Sequence, residues 1–477
     1  MSQETGGSEA HPLGSESRPL RVAVIGSGPA GFYAAESLFK RDGLSVFVDM
    51  FDRLAPPFGL VRYGVAPDHQ NIKKVIKTYL RTAGNPRFRF FGNVHLGRDI
   101  HVADLRDHYD QICYATGAET DRRMGVPGED LEGSHSSTSF VGWYNGHPDY
   151  RDLEFDLSTS RAAVVGIGNV AMDVCRILLG SPDELAKTDI AAHALAALRE
   201  SRVREVYLFG RRGPLQSAFT PKEIQEVGAL EGVDLVVDPR DLEIGEGERS
   251  RLRDSYQARK NFEYLNEAAA RTKPGNDRRV WLRFFASPHE ILGENGRVRA
   301  IRIEKCELVE DERGVPRARG TGEIEEIPVG LVVRAIGYRG VPLPGVPFHE
   351  RWGVICNEAG RVTDGDGGAV VAREYVTGWA KRGPTGLVGT NKGDAADTVD
   401  RMLEDLSGVA AKPLASDWPG QIPGLLESRG VRYVTFADWE ILDGIEQERG
   451  RQAGKLREKV VDPEEMLSLI EAAKARP

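Results

Sequence analysis

Three short constellations in this chain have residue types and spacings that can do chemistry. Gly26-x-Gly28-x-x-Gly31 lies in "RVAVIGSGPAG", Gly166-x-Gly168-x-x-Ala171 in "RAAVVGIGNVA", and Arg211–Arg212 in "YLFGRRGP". In such a triplet the first glycine permits a tight turn and the second lets the backbone approach a pyrophosphate. The third lets helix and strand pack closely, with the phosphate on the helix N-terminus, and alanine is an accepted variant there. The arginine pair raises a different question. Two adjacent guanidinium groups repel each other, and at the tip of an apolar stretch they call for an anion.

Each constellation needs a strand before it and a helix after it. Val22–Ile25 reads as a short strand, "FYAAESLFKR" as a helix, and "LSVFVDMFD" as a second strand. That strand ends at Asp52, ~20 residues beyond the last glycine, where a carboxylate accepts hydrogen bonds from a ribose diol. The unit then recurs: strand Ala162–Val165, glycine loop, and a helix with apolar spacing. Here an insertion, "GSPDELAKTDIAAHALAALRES", reads as extra helix and delays the next strand, "VREVYLFG". Its end carries Arg211 and Arg212 and no acid. An acid at this point accepts a free 2′-hydroxyl, whereas an arginine pairs with a 2′-phosphate. Two loops with different strand ends imply FAD at the first and NADP at the second, with hydride passing from nicotinamide to flavin.

Bulk properties narrow the class. At 477 residues the chain exceeds one core, and 40% hydrophobic with 28% charged residues is globular material. The net charge of −9 argues against nucleic acid or an anionic membrane as partner. Cys113, Cys175, Cys306 and Cys356 are far apart and form no CxxC, which leaves no local metal knuckle or vicinal redox disulfide; we expect reduced thiols and a cytoplasmic protein. No metal site is expected. No stretch is long and apolar enough to span a bilayer. The N-terminal residues, rich in Ser, Gly and Glu, read as a disordered tail over 1–19 without signal or transit character.

Several strings together resemble adrenodoxin reductase and its bacterial relatives, the adrenodoxin-reductase-type ferredoxin–NADP reductases: "VIGSGPAGFYAA", "PFGLVRYGVAPDH", "FVGWYNG", "GIGNVAMDV", "GRRGPLQSAFTPKE", "GWAKRGPTGLVGTNKGDAADTVD" and "FADWEILD". The resemblance runs from about Arg21 almost to the C-terminus and is stronger toward the bacterial members. It implies an α/β fold with two Rossmann-like dinucleotide-binding domains, the NADP domain (118–335) inserted between two FAD segments (20–117 and 336–477). "YDQICYATGAE" (109–119) and "GLVVRAIGYRG" (330–340) each look like a buried strand ending in glycine, where a chain can leave and re-enter a domain.

By resemblance, Gly26, Gly28, Ala30, Gly31, Asp52, Leu60 and Val94 match FAD-binding positions, and Trp379, Gly386, Leu387 and Val388 match the segment over the flavin ring. Gly168, Asn169, Val170, Arg211, Arg212 and Glu223 match NADP positions. Read alone, His69 is an exposed first-turn histidine in a helix that Asp68 caps, "QNIKKVIKTYLRTA", and Glu223 is a solvated helix residue. The resemblance instead brings both to the nicotinamide as catalytic-site residues. It also implies a ferredoxin-type iron–sulfur partner, and a monomer is the favoured state. "ERSRLRDSYQARK" places Arg249 and Arg253 four apart on one helix, with Arg259 and Lys260 beyond, as a docking face for an acidic protein. An NADPH diaphorase or quinone reductase without a protein partner, and a non-catalytic FAD/NADP redox sensor, remain open readings at this point.

Overall fold

The computed structural model describes residues 12–245, 248–271, 275–408 and 417–475. Two parallel sheets organise them. The first runs, strand by strand, Asn357–Glu358, Arg361–Thr363, Val370–Val376, Gln111–Tyr114, Leu20–Ile25, Val46–Phe51 and Phe88–Phe91. Its last five strands are mutually parallel, and the first two join antiparallel at one edge. The second sheet runs Ser134–Ser136, Leu331–Arg334, Arg161–Val165, Glu205–Phe209, Arg278–Arg283 and Val233–Val237, parallel throughout. Strands such as "RAAVV" and "LRVAVI" are buried along nearly their whole length, as continuous apolar runs covered by helices on both faces require.

The chain leaves the first sheet after Gln111–Tyr114 and returns to it at Asn357. Its two crossing segments are stitched together: Thr120–Asp121 pairs antiparallel with Tyr338–Arg339, and Arg122 N–H donates to the Gly337 carbonyl at 3.0 Å. A three-stranded antiparallel sheet, Ala286–Glu294, Arg297–Glu310 and Pro316–Pro328, projects from the second sheet and leaves its outer strand exposed.

Several local expectations change. The tail expected through residue 19 is ordered from Pro12: Arg18 and Arg21 both bond Asp110, at 2.8 and 3.1 Å, and residues 1–11 lie outside the described residues. The insertion forms two helices, Pro182–Leu185 and Ala192–Arg199. "QNIKKVIKTYLRTA" is also two helices, Gln70–Lys73 and Ile76–Ala83. Asp68 does not cap the first, because its carboxylate is drawn to Arg176 Nε, 2.8 Å away. All four cysteines are free and buried.

Buried charge joins the two sheets' bodies. Asp189, in the insertion, accepts Lys73 Nζ at 2.7 Å from the first body and Lys459 Nζ at 3.2 Å from the C-terminal segment. Lys459 also donates to the carbonyls of Arg62 (3.1 Å) and Asn145 (3.0 Å), and burial pushes its ammonium well below the ordinary value. Beside it, Arg62 and the fully buried Glu446 form a two-point ion pair, with one contact at 2.9 Å. Against the cost of burial, Arg62 holds Glu446 below its usual range. Removing one partner of such a pair strands the other charge. Glu446→Ala should therefore cost ~3–5 kcal/mol in urea denaturation. Removing Glu184 from its exposed pair with Lys187 should cost under ~1 kcal/mol.

Candidate functional site

Both glycine loops sit where strand order reverses, the place where open α/β sheets bind ligands. Gly26 follows Leu20–Ile25 and faces the end of Gln111–Tyr114, while Gly166 follows Arg161–Val165 and faces the end of Leu331–Arg334. The parallel is close. A Cβ on Gly26 would stand 2.4 Å from Ala115 O and one on Gly166 2.2 Å from Ala335 O, with φ at +107° and +125°. Only glycine meets both demands. Gly31 is required by crowding against Gly26 O, at 2.1 Å from its would-be Cβ.

Gly28 and Gly168 differ. Each is the N-cap of the following helix, Pro29–Phe39 or Asn169–Leu179, in extended backbone that any residue adopts. A Cβ at either would meet no protein atom within 4 Å. Nothing in the protein demands glycine there. The open space in front of both belongs to one cavity of about 1650 Å³, well above the ~300–1,000 Å³ of a single-ligand pocket.

The cavity wall contains most of the residues singled out from sequence. At the first loop it includes Gly26, Gly28, Ala30, Asp52, Leu60 and Val94; at the second, Gly168, Asn169, Val170, Arg211, Arg212 and Glu223. Trp379, Gly386, Leu387 and Val388 close one side, and His69 lies between. Gly31 lies behind the wall, packing helix on strand. Asp52 Oδ2 accepts both Ser27 N–H (2.9 Å) and Ser27 Oγ–H (2.5 Å), and Oδ1 accepts Leu54 N–H (2.9 Å), so the carboxylate is oriented by the loop it serves. Trp379 Nε1 donates to Thr385 O at 3.1 Å and its ring lies 5.4 Å from Tyr338, while Leu387 is 61% exposed. Asn169 Oδ1 accepts Thr220 N–H at 2.9 Å, tying the second loop to the helix Pro221–Gly228 that carries Glu223.

His69 is not the exposed residue its local sequence suggests. It is buried and bonds Glu226 at 2.8 Å through Nε2, with Nδ1 3.9 Å from Glu223 Oε1 and 3.8 Å from Asp173 Oδ1. Glu223, also buried, accepts Arg176 Nη1 at 2.7 Å. Ligand atoms of His69, Asp173 and Glu223 lie within 4.8 Å of one another, but Arg176 already bonds both carboxylates, so the cluster's cation is a guanidinium. Asp173 and Arg176 went unrecognised in the sequence. Their four- and seven-residue offsets from Asn169 place both on the same side of that helix as Asn169, the signal that could have found them; of the two, Asp173 lines the cavity.

The basic residues singled out as a docking face lie on two helices. Arg249 and Arg253 lie on one helix, Arg249–Asp254, and Arg259 and Lys260 on the next, Tyr256–Ala270, because Ser255 breaks the run and caps the second by accepting Ala258 N–H. Lys260 is paired with Glu263 at 2.7 Å, and Arg259 stacks over the exposed ring of Tyr256.

Comparisons with known proteins agree with this geometry. Residues 20–229 match the family model described as pyridine nucleotide-disulphide oxidoreductase. The chain is 45% identical over 460 residues to the NADPH-ferredoxin reductase FprA of Mycobacterium tuberculosis, covering 95% of this chain and 99% of that one. It is 44% identical over 464 residues to the mitochondrial NADPH:adrenodoxin oxidoreductase of Bos taurus, covering 94% and 92%. The solved structure of M. tuberculosis FprA in complex with NADPH matches with a TM-score of 0.91 over 95% of this chain and 100% of that one. Among the described residues no helix is long and apolar enough to cross a membrane.

One testable consequence concerns Asp173. Burial, reinforced by Glu223 and opposed by Arg176, pushes its carboxyl up to about 7 from 3.8. The folded protein thus keeps a proton that the unfolded chain has lost, and ionising Asp173 costs stability progressively as pH rises from about 4 to about 7. Thermal midpoints of Asp173→Asn should gain on the wild type across that window and hold a constant difference above it. A difference that does not vary with pH would refute the shift.

Proposed function

This chain belongs to the adrenodoxin-reductase family of NADPH–ferredoxin reductases, and we propose that its cavity holds FAD on the first glycine loop and NADP on the second, serving reduction of a ferredoxin-type iron–sulfur protein. The observation that carries the reading is the pair of glycines, Gly28 and Gly168, that neither backbone conformation nor protein crowding requires. Close approach of a ligand pyrophosphate to each helix N-terminus explains both. When bound, the cofactors supply the redox chemistry, hydride from NADPH to FAD and then single electrons to the iron–sulfur protein.

The chain's own residues bind, orient and enclose. Asp52, pre-set by Ser27, would accept the adenosine ribose hydroxyls of FAD, with Ala30, Leu60 and Val94 forming apolar walls. Trp379 and Gly386–Val388 would cover the flavin ring, and the backbone N–H groups opening the helix Thr390–Glu404 favour negative charge there. Asn169 and Val170 would meet the NADP pyrophosphate. His69 and Glu223, held by Glu226 and Arg176, would fix the position of the nicotinamide end. Hydride transfer needs no general base, so their part is orientation. We place the domain boundaries at 117/118 and 335/336, beside the paired crossing segments.

Two experiments test this reading. The double variant Arg211→Ala/Arg212→Ala removes charged hydrogen bonds worth ~1.5–3 kcal/mol each to a 2′-phosphate. It should raise the KM for NADPH about 100-fold or more, with NADH kinetics and bound FAD little changed. Equal loss of NADPH and NADH activity would make the pair structural. For the partner, adding ferredoxin should accelerate cytochrome c reduction, and charge reversal at Arg259 and Lys260 should slow it at low salt, with the difference shrinking toward 1 M, where the Debye length is ~3 Å. No acceleration by ferredoxin would leave a diaphorase.

A further inference from the structure

The stretch of cavity wall beside the first glycine loop is gripped from behind. Gly59, Leu60 and Tyr63 belong to that wall, while Phe58 and Arg62, four residues apart, are buried and take no part in it. Phe58 has φ +87°, in the left-handed region that bulky residues avoid. Pro56 and Pro57 precede it, and Gly59 follows with φ +47°. The Phe58 N–H donates to Ser27 O at 3.0 Å, and the Phe58 carbonyl accepts Val61 N–H at 3.0 Å. This conformation lays the chain against the glycine loop: a Cβ on Gly59 would stand 3.0 Å from Gly28 Cα.

The helix Phe436–Gln452, none of whose residues lines the cavity, holds both buried side chains. Trp439 packs edge-on against the Phe58 ring with centroids 5.0 Å apart, and the rings of Phe32 and Tyr79 lie 5.4 and 6.0 Å from it. Seven residues further along, on the same helix face, Glu446 takes Arg62 in the two-point ion pair. Two turns of one helix therefore fix residues 58 and 62, on either side of Gly59 and Leu60. Strained backbone persists only where its surroundings over-determine it, and such places gather at ligand clamps. Glycine at 58 would adopt this backbone without strain but would give the helix nothing to hold.

We propose that Phe58 is a positioning residue for FAD and Trp439 its clamp, so that a helix outside the cavity sets the wall beside Gly28. This rests on the reading that the first loop holds FAD. The ring of Phe58 turns packing in the core into a fixed place for Gly59 and Leu60. The slot before the helix Pro29–Phe39 is thus shaped before the cofactor enters, and preorganisation of this kind lowers the cost of binding.

The test follows FAD on the full-chain holoenzyme, by the fluorescence of flavin released on dilution and by visible circular dichroism of the flavin that stays bound. Phe58→Leu and Trp439→Leu should each raise the FAD dissociation constant about 10-fold and alter the dichroism. Trp439→Phe, which keeps a ring, should recover most of both. Phe58→Gly frees the backbone and removes the ring, and should weaken FAD at least as much as Phe58→Leu. Leu38→Ala is the control: it empties a buried site in the same core, at the far end of the helix Pro29–Phe39. It should lower the thermal midpoint while leaving the dichroism unchanged and the dissociation constant within about 2-fold. If Trp439→Leu or Phe58→Gly holds FAD like wild type, or Leu38→Ala moves it as far as Trp439→Leu does, this inference is overturned and the cofactor assignment stands. If the wild-type chain carries no FAD, the assignment of FAD to the first loop falls and the inference with it.

Discussion

A Cβ on Gly26 would stand 2.4 Å from the carbonyl oxygen of Ala115, and one on Gly166 would stand 2.2 Å from that of Ala335. Both close approaches are possible only because those residues are glycine, and each lies where its sheet reverses strand order. Tight packing of the loop against the neighbouring strand end turns the next helix so that its N-terminus looks out from the sheet. The same constraint met twice gives two such helix ends on one cavity. Backbone geometry thus presents two helix N-termini to that cavity before any side chain contributes.

Side chains give the two ends of the cavity opposite character. At the first loop a carboxylate is held by Ser27 and the Leu54 N–H, suited to hydroxyl donors. At the second, the adjacent guanidinium groups of Arg211 and Arg212 line the same cavity, with burial and then the charge of Arg211 holding Arg212 below its ordinary value. Two adjacent like charges on a cavity wall are suited to an anion, as the carboxylate is to hydroxyl donors.

Facing the loops across one cavity also requires the two sheets to hold their relative position. That task falls on buried charge. Asp189 accepts ammonium groups from two different parts of the chain, and Lys459 reaches backbone carbonyls in both bodies. Apolar contacts are tolerant of sliding, whereas a buried ion pair loses its compensation when displaced by a fraction of its length. The paired crossing segments, Thr120–Asp121 with Tyr338–Arg339, add a second point of registration.

The sequence by itself determined the parts whose physics is local. The strand–glycine–helix units, Asp52 and Arg211–Arg212 were legible because turn geometry and strand-end chemistry depend on residues within one supersecondary unit. Only the tertiary structure decided how distant residues meet. His69 looked solvated because its partners Glu226 and Asp173 lie over a hundred positions away, and Asp68 looked like a cap because Arg176 was not in view. Asp189, an unremarkable residue in an insertion, became the junction of the two bodies for the same reason: burial and charge pairing belong to the folded arrangement, and no spacing along the chain encodes them.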